Sequence, residues 1–190
     1  MQSRAGTRER ERHILTVAVE LLSEVGFDRL TFDAMAARAG VSKSTLYRRW
    51  PGKHELVIDA VRRRVDFSFT VPDQGNFRAD VLEALRLVSE WLRRDAAMLR
   101  TLIDAGRRDV NLREATDRQI AQPFDDMWEE VIDRAHDRGE LRSDVDLSWL
   151  NELAQGVLIN RLLVVDDPVT DTYLERLTDE IILPAFAHPA

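Results

Sequence analysis

Between its breakers this chain repeats apolar residues every three or four positions and nowhere alternates strictly, which confines it to helical architectures. Ile14, Ala18, Leu21, Leu22 and Val25 form one stripe, stopped by Gly26. Thr31 is placed to cap a short helix carrying Phe32, Met35, Ala36 and Ala39; Gly40 ends it and Ser42 caps the next. Pro51-Gly52 breaks the chain, and Lys53 to about Phe67 reads as a fourth, linking helix. Thr70 to Gly75 is the clearest loop. The expected domains are residues 1–64 and 65–190.

Beyond the loop, Phe77, Val81, Leu85, Val88 and Leu92 recur at helical spacing, and a shorter segment runs from about Ala96 to Arg107. Asn111 and Glu114 suit the cap and third position of a long helix with Ile120, Phe124, Met127, Val131 and Ala135, closed by Gly139. Asp146 opens a helix from Leu147 to about Val165, which Asp166-Asp167-Pro168 stops. Thr170 or Asp171 starts a last helix through Tyr173, Leu177, Ile181 and Phe186. The expectation is an all-α fold of about nine helices, with three in an N-terminal head.

Charge divides the chain. Residues 1–64 hold 13 Lys and Arg against 8 Asp and Glu, whereas residues 65–190 hold 14 against 26. A basic head on an acidic body suggests that only the head meets a polyanion. There is no Cys, which excludes disulfide frameworks, thiolate metal sites and thiol catalysis. No apolar run approaches the ~20 residues a membrane span needs, so a cytoplasmic protein with no membrane partner is expected.

Residues 32–50 carry the most information. Two short helices joined at Gly40 suit a helix-turn-helix, because glycine takes the left-handed angle of the turn at little cost. Ala36 is small enough for a close crossing, and Met35, Ala39, Val41 and Leu46 supply a shared apolar wedge. Winding the second helix at about 100° per residue with Leu46 and Trp50 inward sends Ser44 and Arg48 outward. Thr45 and Tyr47 flank them, and Lys43 sits in the first turn. That outer face has no carboxylate, whereas a merely solvated helix of this length would usually mix in an Asp or Glu. Recognition helices present such polar and basic side chains to base edges.

The residues Gly26-Phe27, Thr31, Ala36-Ala37, Ala39-Gly40-Val41-Ser42, Thr45-Leu46-Tyr47, Trp50 and Lys53 resemble the tetracycline-repressor (TetR) family of bacterial transcriptional regulators. The resemblance covers about residues 8–60. It implies that Ser42, Lys43, Ser44, Thr45, Tyr47 and Arg48 face DNA and that Thr31 and Lys53 grip phosphates. Trp50 replaces a more usual Phe, and Gly52 a capping Ser or Asn. The implied function is a dimeric, sequence-specific regulator, expected to be a repressor released from a palindromic operator by a small apolar or amphipathic ligand. A DNA-binding architectural protein without an effector is the alternative. No enzyme, cofactor or metal is expected.

Trp91, Met98, Leu99, Phe124, Met127 and Trp128 are the candidate effector-binding residues, although their spacing also suits plain core packing. The resemblance points to a homodimer through the two C-terminal helices, with Leu150, Leu153, Ala154, Gly156, Val157, Leu158, Leu174, Leu177 and Ile181 as candidate contacts. Arg4, Arg8, Arg10 and Arg12 form a basic arm diluted by Glu9 and Glu11, suited either to DNA or to a solvated terminus. The single Asp133-x-x-His136 pair lacks the second copy and extra Glu residues that a di-iron bundle needs.

Overall fold

The breakers read from the sequence separate nine helices in the computed structural model, which describes residues 2–64 and 70–188, with side chains from residue 6 onward except Ala121. They are α1 (Gln2–Val25), α2 (Phe32–Ala39), α3 (Lys43–Arg49), α4 (Lys53–Arg64), α5 (Phe77–Arg94), α6 (Ala96–Gly106) and α7 (Val110–Asp137). Helix α8 (Ser148–Ile159) runs on through a π-helical stretch, Asn160–Val165. Helix α9 (Asp171–Leu177) continues through a second π-helical stretch, Thr178–Ile182, into a final turn, Leu183–Phe186. Strand pairing among the described residues is limited to one antiparallel bridge, Leu141 to Ala187. The expected extension of α4 to Phe67 lies outside the described residues.

Two compact units emerge: residues 2–64 with 97–121, and residues 70–96 with 122–188. The unit that holds the helix-turn-helix therefore also takes in most of α6 and the first half of α7.

In the first unit α1 packs along α4. Ile14, Ala18, Leu21 and Leu22 are buried, as are Leu56, Val57, Ala60 and Val61. Gly40 ends α2 at φ 64°, donating its N–H back to the Ala36 carbonyl, so the sharp turn into α3 needs no side-chain strain. Helix α7 starts two residues earlier than its sequence pattern suggests. Its cap is Asp109, whose Oδ1 accepts from the Leu112 N–H at 3.0 Å, and Asn111 lies inside the first turn. Both residues are good caps; the choice is settled by a tertiary bond from Asp109 to His54.

In the second unit α8 and α9 pack on α5, whose Val81, Leu85, Val88, Trp91 and Leu92 are buried. Helix α8 begins at Ser148, its N–H held by Asp146 Oδ1 at 3.0 Å, so Leu147 precedes the helix instead of opening it. Asp166, the terminator expected after α8, does the work of a glycine with φ 62°. Asp80 is wholly buried; it accepts from Arg138 Nη2 at 2.7 Å and from the Gln74 N–H at 2.8 Å. Arg138 also reaches Asp73 and Glu140, each at 3.1 Å. A buried carboxylate is tolerable only with such partners, and here they fix the loop before α5 to the end of α7.

Candidate nucleic-acid interface

Capping residues shape the start of both helices of the helix-turn-helix. Thr31 Oγ1 accepts from the Ala34 N–H at 3.2 Å, and Ser42 Oγ accepts from the Thr45 N–H at 3.3 Å. The Ser42 hydroxyl also lies 2.8 Å from that of Ser44 and 2.9 Å from that of Thr45. The first turn of α3 therefore presents a short chain of linked hydroxyls. Leu46 and Trp50 point inward, with 0% and 4% exposure. Ser42, Lys43, Ser44, Tyr47 and Arg48 are exposed, and Thr45 is half-buried.

The cations of this face differ in how they are held. Lys43 pairs with Asp33 of α2. Arg49 Nε donates to Glu11 Oε1 of α1 at 2.8 Å, and Arg63 of α4 reaches the same oxygen at 3.3 Å. Arg48 is exposed and makes no ion pair among the described residues. Its guanidinium keeps its full set of donors for an outside acceptor. Tyr47, 57% exposed, leans on Phe32 with ring centroids 4.6 Å apart, which restricts where its phenol points.

Lys53 is partly committed. Its Nζ donates to the Phe27 carbonyl at 2.9 Å and sits 4.4 Å from the Phe27 ring centroid. An ammonium has three protons, so a phosphate still finds a donor there. Arg38 of α2 makes two 2.9 Å bonds to Glu24 of α1. That hydrogen-bonded pairing holds the Glu24 carboxyl below its ordinary value. These ties fix α2 to α1, and the start of α4 to the turn that follows α1.

Beside α3 lies an open groove of about 610 Å³, lined by Thr7, Arg10, Glu11, Ile14, Thr45, Arg48 and Arg49 among others. Arg10, placed only loosely in a basic arm by its sequence, forms one wall. The periodic spacing of Thr7, Arg10 and Ile14 on one face of α1 is the signal that locates it. Arg8 and Arg12 are also on α1, and the side chain of Arg4 lies outside the described residues.

The candidate effector residues separate between the two units. Trp91, Phe124, Met127 and Trp128 belong to the second and are all buried; Met98 and Leu99, also buried, belong to the first. Trp91 and Phe124 meet edge-on with centroids 5.1 Å apart. The Trp128 indole N–H is buried and has no hydrogen-bond partner among the described residues.

The candidate dimer residues separate by burial. Leu150, Ala154, Leu158, Leu174 and Leu177 are core side chains of their own chain, because they face the packing of α5 against α8 and α9. Leu153 and Val157 are half-buried, whereas Gly156 and Ile181 are exposed. Trp149 and Val164, at 58% and 72% exposure, share the outward side of α8 with Leu153 and Gly156 and were not among the expected contacts. Among the described residues no group of three or more Asp, Glu or His side chains is arranged to hold a metal ion, and no helix is long and apolar enough to cross a membrane.

An all-helical chain with a capped helix-turn-helix and a carboxylate-free second helix defines the class of helix-turn-helix DNA-binding regulators. Residues 14–60 match the family model for bacterial regulatory proteins of the tetR family, and residues 71–181 match that for the tetracyclin repressor-like C-terminal domain. The chain belongs to the TetR family, whose members are DNA-binding transcriptional regulators and not enzymes. It is 34% identical over 180 residues to the DNA-binding transcriptional repressor TetR of Mycobacteroides abscessus, covering 92% of each chain. The crystal structure of the TetR family transcription regulator SCO0332 superposes with a TM-score of 0.68 at 32% identity, covering 92% of this chain and 97% of that one. A regulator FadR from Bacillus subtilis, solved in complex with stearoyl-CoA, shares the fold with a TM-score of 0.70 at 17% identity over 91% of this chain and 96% of that one.

Proposed function

We propose that this chain is a homodimeric repressor that reads a two-fold-related operator with α3 and leaves it when a small apolar or amphipathic molecule binds the body. The observation that carries the reading is Arg48, exposed and without an ion pair among the described residues on a helix face free of carboxylates. Arg bidentate to guanine is the commonest specific contact in the major groove. Ser42, Lys43, Ser44, Thr45 and Tyr47 complete that face, with Thr31 and Lys53 toward the backbone phosphates. Residues 1–64 form the reading head and 65–190 the sensing and pairing body.

One short helix reads too few base pairs for useful specificity, so two heads are needed, with half-sites about one helical turn apart or a multiple of it. The outward apolar stripe Trp149, Leu153, Val157 and Val164, with Ile181 on α9, is the pairing surface in this reading. Gly156 supports it, because an added Cβ there meets nothing within 4 Å in the single chain. The buried aromatic group of Trp91, Phe124 and Trp128 with Met127 suits an apolar ligand body. The unpaired Trp128 N–H suits an acceptor on that ligand. The relative from Mycobacteroides abscessus is described as a repressor, and the FadR fold neighbour holds an acyl-CoA.

The test begins with duplexes selected from a random pool by the purified protein. Stearoyl-CoA and a set of smaller amphiphiles are then titrated with and without the selected operator, following tryptophan fluorescence. Ligand release requires weaker ligand binding on DNA by the same factor that the ligand weakens DNA binding. A probe that binds with equal affinity in both titrations overturns release by that ligand and favours an architectural role.

A further inference from the structure

We infer that Asp59 of α4 is a positioning residue for the reading helix, acting through the indole N–H of Trp50; the inference rests on α3 being the helix that reads DNA. Trp50 is the residue on which α3 ends: its backbone N–H donates to the Leu46 carbonyl at 2.9 Å, and its side chain is 4% exposed. Its indole Nε1 donates to Asp59 Oδ2 at 3.1 Å. Asp59 is itself 13% exposed, and its other oxygen accepts from Arg62 at 2.6 Å, with Arg63 Nε 3.7 Å away.

The arrangement does more than fill space. A phenylalanine at position 50 would fill most of the same site but offer no donor. The indole supplies one directed bond, aimed at a carboxylate whose other oxygen is already engaged by Arg62 of the same helix. Bonds to a charged acceptor are shorter and stronger than neutral ones. The C-terminal end of α3 is thereby fixed to the middle of α4 in both distance and direction. On the other flank Arg49 is held by Glu11, and Glu11 also takes Arg63 from α4. Trp50 and Arg49 are adjacent, so the last turn of α3 is gripped from two sides by carboxylates at 13% and 15% exposure. Arg48, one residue earlier, is the side chain whose aim this grip sets. A base contact needs its donors placed to a fraction of an ångström, and a loosely held helix end spreads them over several poses.

The experiment compares Trp50→Phe, Asp59→Asn and the double variant with Arg48→Ala, on an operator selected by the native protein and on a scrambled duplex of equal length. Heat-unfolding midpoints are recorded for each, and binding is measured well below the lowest of them. Expected is an operator affinity about tenfold weaker for Trp50→Phe, with affinity for the scrambled duplex unchanged. Trp50→Phe should cost less in the Asp59→Asn background, because the acceptor there no longer carries the charge that strengthens the bond. A purely structural role would reduce the active fraction and lower both duplex affinities by one factor, which would overturn the inference. So would an operator affinity unchanged by Trp50→Phe while Arg48→Ala abolishes selectivity. If Arg48→Ala leaves selectivity intact, the reading helix itself is misassigned and the inference falls with it.

Discussion

His54 Nε2 and Asp109 Oδ2 lie 2.5 Å apart, joining the second residue of α4 to the cap of α7. Asp109 spends its other oxygen on the Leu112 N–H, and the His54 bond is the largest of the causes that hold its carboxyl below the ordinary value. One side chain thus serves both a helix start and a tertiary tie.

A carboxyl depressed in the folded state contributes stability that is fully present above its unfolded value, near 3.9, and lost as pH falls through the folded value. Native protein should therefore lose stability on acidification below about pH 4. A His54→Gln variant, whose Asp109 is less depressed, should lose less over the same interval. Urea midpoints measured from pH 6 to pH 2.5 check this; parallel curves for the two proteins would contradict it.

Arg48→Ala should cost about 1–3 kcal/mol of operator affinity and relax the preference at one base pair in each half-site. Selection from a random pool with the variant reads this directly. An unchanged consensus would place some other residue in the groove.

Lys53 holds the Phe27 carbonyl as well as a place at the phosphates. Lys53→Ala should therefore show two effects at once. Binding should weaken alike for all sequences, with the salt slope reduced by about one. Stability should also fall, by about 1 kcal/mol for the lost bond. A change in unfolding midpoint with no change in salt slope would confine Lys53 to the turn.

Substitutions on α8 should separate core from surface. Leu158 is fully buried, so Leu158→Arg should unfold the second unit whether or not the chain pairs. Leu153→Arg or Gly156→Trp should leave folding intact, because Leu153 is only half-buried by its own chain and an added Cβ at Gly156 meets nothing within 4 Å. Sedimentation should then show a folded monomer that no longer holds the operator. A folded dimer in both variants would exclude the α8 face.

The helix-turn-helix was legible because its determinants are local. Thr31, Gly40 and Ser42 set caps and a turn within a dozen residues, and the inward placement of Leu46 follows from helix geometry alone. The grips on that helix were not legible. Glu11 meets Arg49 across 38 residues of sequence, and Lys53 meets Phe27 across 26, so no window reveals either. The π-helical stretches at Asn160–Val165 and Thr178–Ile182 were hidden for a related reason. A π turn shifts the phase of every later residue, and packing against α5 decides where it falls. The apolar stripe of α8 could therefore be found from sequence but not divided into core and surface.

The fixings that close the second unit impose an order of events on the newly made chain. Arg78 at the start of α5 makes two 2.7 Å bonds to Asp179, a residue 101 positions later. At ribosomal speeds that interval is roughly 5–20 s. Throughout it α5 lacks the cover of α9. The head, whose helices lie close together in the chain, can fold while this happens. The body is left as the aggregation-prone part of each nascent molecule, the more so the slower the synthesis.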